Sequence, residues 1–214
     1  MNVTSPSVIS ISGITSLSAL GSRSHAIWEA YQKASPCFSE WKHEAGCDWV
    51  SKLSSETTAA LDQLRLERHG YETLDNSVLM AIQAARQLPI SGIANSQIGI
   101  NIGSSRGATG LWEQYFKAFQ EEGKVSPFTS PTTTLGNISS WVAQDLGARG
   151  ITIEHSVTCS TALHAVLNGI AWLCSGMADG FIAGGSEAAL TPFTLAQMKA
   201  LKELDLSTNQ IGDK

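Results

Sequence analysis

The sequence predicts an α/β fold with a partly parallel sheet. Strand-like and helix-like patterns alternate along its 214 residues, and no repeat, low-complexity tract or Pro/Gly linker divides them. Charged residues make up 15% of the chain and hydrophobic ones 43%, against roughly 25% charged in an average soluble domain, so much of the chain is expected to be buried.

Val8–Ile14 (VISISGI) alternates apolar and small polar residues, as a strand does. Ala26–Lys33 carries Ile27, Trp28 and Tyr31 on one helical face. Pro36–Val50 mixes Pro, Gly, Cys and two Trp without periodicity and reads as a loop-rich excursion. Ser55–Leu66 reads as helical. Leu74–Leu88 is a helix by the spacing of Leu74, Val78, Ile82 and Ala85, stopped by Pro89. Ile98–Ile102 is a strand running into the small-residue turn Gly103–Gly110, and Leu111–Glu122 is amphipathic. Ser126–Thr134 reads as a loop and Ser139–Leu146 as a helix. Ile151–Val157 is a β-branched strand, Ser160–Met177 an apolar helix and Gly180–Ala183 a short buried strand. Lys199–Lys214 turns polar directly after the densest apolar segment.

Composition excludes several classes. With 14 Lys+Arg against 19 Asp+Glu the net charge is −5, which argues against a nucleic-acid binder. Cys37, Cys47, Cys159 and Cys174 form no CxxC pair, so neither a zinc site nor a disulfide framework is expected, and a reducing, cytoplasmic setting is the default. No basic residue precedes Arg23, which argues against a signal peptide. Ser156–Ala178 lacks Asp, Glu, Lys and Arg and is long enough to span a bilayer. Its Ser, Thr, His and Asn residues make it a turn and a buried helix instead.

The densest chemistry lies in EHSVTCSTALHAV, Glu154–Val166, where a strand runs into Cys159 and a helix begins. Unpaired backbone N–H groups and the positive end of the helix dipole favour thiolate over thiol there. A tight turn also exposes the side chain, and a neighbouring backbone N–H can hold an oxyanion. The competing reading is a small buried hydrophobe. Cys174, deep in the apolar run, reads as core. His164 follows Cys159 by a helical rotation of roughly 140°, and His155 precedes it by about 13 Å of strand, so neither reads as its base. Gly103-Ser104-Ser105-Arg106-Gly107 matches G-x-S-x-G between a strand and a helix. With Asp145 and His155 or His164, Ser105 would complete a serine-hydrolase order; the alternative is a glycine turn that lets backbones pass closely.

Val157–Phe193 (VTCSTALHAVLNGIAWLCSGMADGFIAGGSEAALTPF) resembles the nucleophile segment of β-ketoacyl synthases. Ser12–Gly21, Gly103–Gly107 and Leu135–Gly150, with Asn137 inside the last, match that family's order across essentially the whole chain. The resemblance implies a thiolase-like half-fold: a mixed, mostly parallel sheet, helices on both faces, and the nucleophile at a strand-to-helix turn. It implies that Cys159 takes an acyl group from an acyl carrier protein or CoA thioester, its backbone N–H helping to hold the oxyanion. A malonyl-type thioester then condenses with that acyl group by decarboxylative Claisen chemistry, in fatty-acid, polyketide or polyene synthesis. No cofactor or metal is implied; a homodimer, or a heterodimer with another ketosynthase subunit, is. The family's two histidines, its lysine and its second, glycine-rich oxyanion loop have no match here. Residues 1–214 are therefore expected to be the N-terminal, nucleophile-bearing half, limited on its own to acyl loading, with the C-terminal half absent. A non-catalytic partner subunit and a serine hydrolase using Ser105 are the other readings.

Overall fold

A computed structural model describes residues 8–34, 36–43, 46–135 and 137–203. In chain order its elements are α1 (Ser24–Lys33), β1 (Phe38–His43), β2 (Gly46–Ser51), α2 (Ser55–Glu67), α3 (Asn76–Ala85), β3 (Ile98–Gly103) and α4 (Thr109–Glu122). There follow α5 (Thr129–Thr133), α6 (Asn137–Leu146), β4 (Thr152–Ile153), α7 (Thr161–Cys174), β5 (Gly180–Gly185) and α8 (Pro192–Glu203).

The fold is organised by β3, every residue of which is buried. It is the centre of a parallel sheet in the order β4-β3-β5, with Ile100 opposite Thr152 and Gly103 opposite Gly185. Side chains alternate across a strand, and here the two faces differ sharply. Ile98, Ile100 and Ile102 join Val78, Leu79 and Ile82 of α3 and Ile138 and Val142 of α6 in the core. On the other face Asn101 bonds Asn168 and Gly103 lies against Thr161, both of α7, while Gly99 leaves room for Phe181 of β5. Helices thus cover both faces, as expected. Local chemistry sets the helix starts: Ser54 Oγ accepts from Thr57 N at 3.1 Å, and Asp75 Oδ1 from Ser77 N at 2.8 Å. Asp75 is why α3 begins two residues after Leu74.

Several expectations are corrected. Val8–Ile14 is not a strand; Val8, Ile11 and Ile14 are exposed, and no described strand pairs with it. Pro36–Val50 is not loop-rich but folds as the antiparallel β1–β2 hairpin, pairing Trp41 with Asp48 and Lys42 with Cys47. His43 Nε2 and Lys199 Nζ both meet Asp48 Oδ2, at 2.6 and 2.9 Å, tying the hairpin to α8. Ser126–Thr134 contains a helical turn, α5, rather than a loop alone. Ile151–Val157 forms ladder pairs only at Thr152 and Ile153. The polar run beginning at Lys199 is helical to Glu203, and its remainder lies outside the described residues.

Cys174 is exposed, not core. Helix α7 buries only Thr161, Ala165 and Gly169, a stripe one helical turn apart. Leu163, Leu167 and Ile170 are uncovered. No helix among the described residues is long and apolar enough to cross a membrane.

Candidate active site

Cys159 sits where the sequence places it, between strand and helix. Residues 154–157 continue from β4, a 3-10 turn covers Thr158–Ser160, and α7 starts at Thr161. The turn is sharp because Thr158 has φ +56°, a left-handed conformation uncommon for a β-branched residue. Thr161, 3% exposed, holds it: its Oγ1 accepts from Val157 N at 3.0 Å and donates to Thr158 O at 2.6 Å. Cys159 is exposed at the crest.

Two glycines make room for this turn. A Cβ on Gly103 would lie 2.0 Å from Thr161 Cγ2 and 3.1 Å from His155 O. A Cβ on Gly185 would lie 2.9 Å from that of Ala162. Gly103 and Gly185 are paired at the C-terminal ends of β3 and β5, so the cysteine turn rests on the end of the parallel sheet. Sites in open α/β sheets lie at that end.

The G-x-S-x-G segment is the structural turn, not a nucleophile elbow. Ser105 Oγ donates to Glu187 Oε2, which also accepts from Ser105 N at 2.8 Å. Asp145, the acid a serine triad would need, is engaged elsewhere by Arg86 and Tyr71. Glu187 thereby fastens the turn after β3 to the segment after β5.

His155 and His164 meet each other, with ring centroids 6.1 Å apart. His155 Nδ1 lies 3.2 Å from Asn101 Nδ2, and His164 Nδ1 lies 3.1 Å from Ser160 O. Asn101 Nδ2 also donates to Ile153 O, and Asn101 Oδ1 accepts from Asn168. Sequence reasoning missed this network. Its signal was a lone amide in each of two apolar segments, IGINIG and the α7 run.

Glu154, just before it, accepts from Ser139 N at 2.8 Å and Ser140 N at 3.3 Å in the first turn of α6. Its Oε2 is buried without a hydrogen-bond partner among the described residues. Burial pushes its carboxyl up to about 7, outweighing the two backbone donors. A carboxyl raised on folding contributes its full stability below its unfolded value near 4.5 and loses it as pH rises towards 7. Glu154→Gln keeps an acceptor oxygen and abolishes that titration. Urea unfolding should show the variant gaining on the wild type between pH 5 and pH 8; a constant difference would contradict the assignment.

Residues 7–211 match the family model described as the Beta-ketoacyl synthase, N-terminal domain. A 3-oxoacyl-[acyl-carrier-protein] synthase 2 of Vibrio cholerae is 36% identical over 117 residues, 54% of this chain and 28% of that protein. A crystal structure of a β-ketoacyl synthase from Burkholderia phymatum superposes with a TM-score of 0.73 at 17% identity, covering 89% of this chain and 49% of that one. A type II polyketide ketosynthase solved in complex with its acyl carrier protein gives 0.73 at 15%, covering 90% and 54%. The chain therefore spans about half the length of these solved structures. A match over nearly all of the sequence, on a fold that puts a strained cysteine turn at the end of a parallel sheet, places this chain in the β-ketoacyl synthase family.

Proposed function

We propose that the chain is the nucleophile-bearing half of a condensing enzyme and that Cys159 is its acyl acceptor. The observation that carries this reading is the Thr158–Ser160 turn, which holds an exposed thiol at the start of α7. In the loading step the Cys159 thiolate attacks the carbonyl carbon of an acyl-carrier-protein or CoA thioester. The carrier C–S bond breaks, the new C–S bond forms at Cys159, and the carrier leaves as a thiol after taking up a proton. Backbone N–H groups at the turn, that of Cys159 included, stabilise the tetrahedral oxyanion.

In condensation a malonyl-type thioester loses CO₂, and its carbanion attacks the acyl-cysteine carbonyl. The Cys159 sulfur departs as thiolate and a 3-oxoacyl thioester forms. Splitting carbon–carbon bond formation in this way is the benefit of a covalent intermediate. The groups that assist decarboxylation match nothing in these 214 residues and are assigned to a second half. That half would cover the apolar face of α7, where Leu163, Leu167 and Ile170 are exposed. A carrier-protein partner, dimerisation with a ketosynthase subunit and a reducing cytoplasmic setting belong to the same reading. The Vibrio relative's name and the carrier-protein complex support it.

The test is acyl loading from a short acyl thioester. Cys159→Ala should reduce it to background, Cys174→Ala should leave it unchanged, and the chain alone should give no 3-oxoacyl product. Loading that survives Cys159→Ala, or product from the chain alone, would overturn the proposal.

A further inference from the structure

We infer that Asn101, acting through Asn168 and His155, is a positioning residue for the cysteine turn; the inference rests on the proposed role of Cys159. Asn101 is fully buried in the middle of β3, on the face towards α7. A buried amide must satisfy two donor hydrogens and an acceptor oxygen, and Asn101 does so with three residues on two segments. One hydrogen goes to Ile153 O of β4 at 2.9 Å and the other to His155 Nδ1 at 3.2 Å. Its Oδ1 accepts from Asn168 Nδ2 of α7 at 2.9 Å. One side chain thus fixes the strand entering the cysteine turn and the helix leaving it.

The network also assigns the His155 tautomer. His155 accepts at Nδ1, so its proton is on Nε2, a buried atom without a hydrogen-bond partner among the described residues. His164 donates from Nδ1 to Ser160 O, one residue from Cys159. The two rings meet edge to face, with their centroids 6.1 Å apart. A turn whose Thr158 is held at φ +56° needs such determination from both sides, because a strained conformation persists only where its surroundings impose it. The Thr161 hydroxyl supplies it within the turn; Asn101 sets the spacing of the segments on either side.

Asn101 itself is too deeply buried for a clean substitution, so the test is made at half-buried Asn168. Asn168→Leu removes the donor, and Asn168→Gln retains an amide as the conservative variant. Two readouts separate positioning from general loosening. The first is the rate of alkylation of Cys159 by iodoacetamide relative to Cys174 in the same sample, read by peptide mass spectrometry across pH. The second is the tautomer of His155 from its ring ¹⁵N shifts. Asn168→Leu should slow Cys159 roughly ten-fold, within what small misplacements of reacting groups cost, with Cys174 unchanged. His155 should pass from a pure Nε2–H form to a mixture, and Asn168→Gln should restore most of both signals. A wild-type preference for Cys159 that survives in Asn168→Leu would overturn this inference alone. Wild-type Cys159 reacting no faster than Cys174 would overturn the nucleophile reading and this inference with it.

Discussion

Gly103→Ala is expected to destabilise the protein by roughly 1–3 kcal/mol, the usual cost of forcing an extra methyl into a packed interior. It should also blunt the reactivity of Cys159. The new Cβ would fall 2.0 Å from Thr161 Cγ2 and 3.3 Å from Thr161 Cβ, so the helix start must move. Thr161 cannot simply rotate away, since its hydroxyl bonds both Val157 N and Thr158 O and thereby holds the turn. Thr161→Ser keeps that hydroxyl and removes the clashing methyl. The double variant Gly103→Ala/Thr161→Ser should therefore recover much of the stability, a coupling that a double-mutant cycle in urea measures directly. Strictly additive losses would show that the contact between β3 and the cysteine turn is not what limits the site.

Asp145→Ala should cost a similar amount, roughly 1–3 kcal/mol, because it leaves the buried Tyr71 hydroxyl without its acceptor and deprives the partly exposed Arg86 of one of its two carboxylate partners. The Asp145 side chain is 2% exposed. Its Oδ1 accepts from Tyr71 Oη at 2.8 Å and Arg86 Nη2 at 2.7 Å, and its Oδ2 from Arg86 Nε at 2.8 Å. Burial by itself raises the Asp145 carboxyl, but the hydrogen bonds from Arg86 and Tyr71 and the nearby Arg charges together hold it below the ordinary value of 3.8. Tyr71 moves the other way, pushed up to about 12 by burial and then by Asp145, and so remains a donor. A carboxyl depressed on folding contributes stability above its unfolded value and loses it as pH falls through the folded one. The Asp145 contribution should therefore begin to fade as pH falls towards its unfolded value of 3.8 and be lost below its still lower folded one, whereas that of Glu154 is lost between about 4.5 and 7. Unfolding of Asp145→Ala at pH 7 and at pH 3 checks this. The deficit should shrink at pH 3; an equal deficit at both would mean that the ion pair is not its source.

Periodicity made the central elements legible. β3 is buried throughout, Leu74, Val78, Ile82 and Ala85 are buried as their spacing selects, and the strand–Cys159–helix order was readable because the apolar pattern changes period there. The missed elements depend on partners that sequence spacing does not report. Helix α5 owes its turn to hydroxyls: Thr132 and Thr133 bond the carbonyls of Phe128 and Thr129, each at 2.6 Å, so a composition that usually marks a loop caps itself. The β1–β2 hairpin is held by cross-strand pairs such as Trp41 with Asp48, and by Asp48 to α8. Val8–Ile14 has the alternation of a strand, but alternation describes two faces and says nothing of the ladder a strand requires. Cys174 was misread for a related reason. Apolar neighbours show that a position tolerates burial, while exposure along Leu163, Leu167 and Ile170 shows that no described residue covers it. At the site, Cys159 followed from local context, whereas Asn101, His155 and Asn168 became a network only through tertiary contact.

The most direct test of the central claim is where an acyl group lands. After incubation with a short acyl thioester, a peptide map by mass spectrometry should show a stable adduct confined to Cys159, with Cys37, Cys47 and Cys174 unmodified. An adduct spread over the four cysteines, or none at Cys159, would contradict the account.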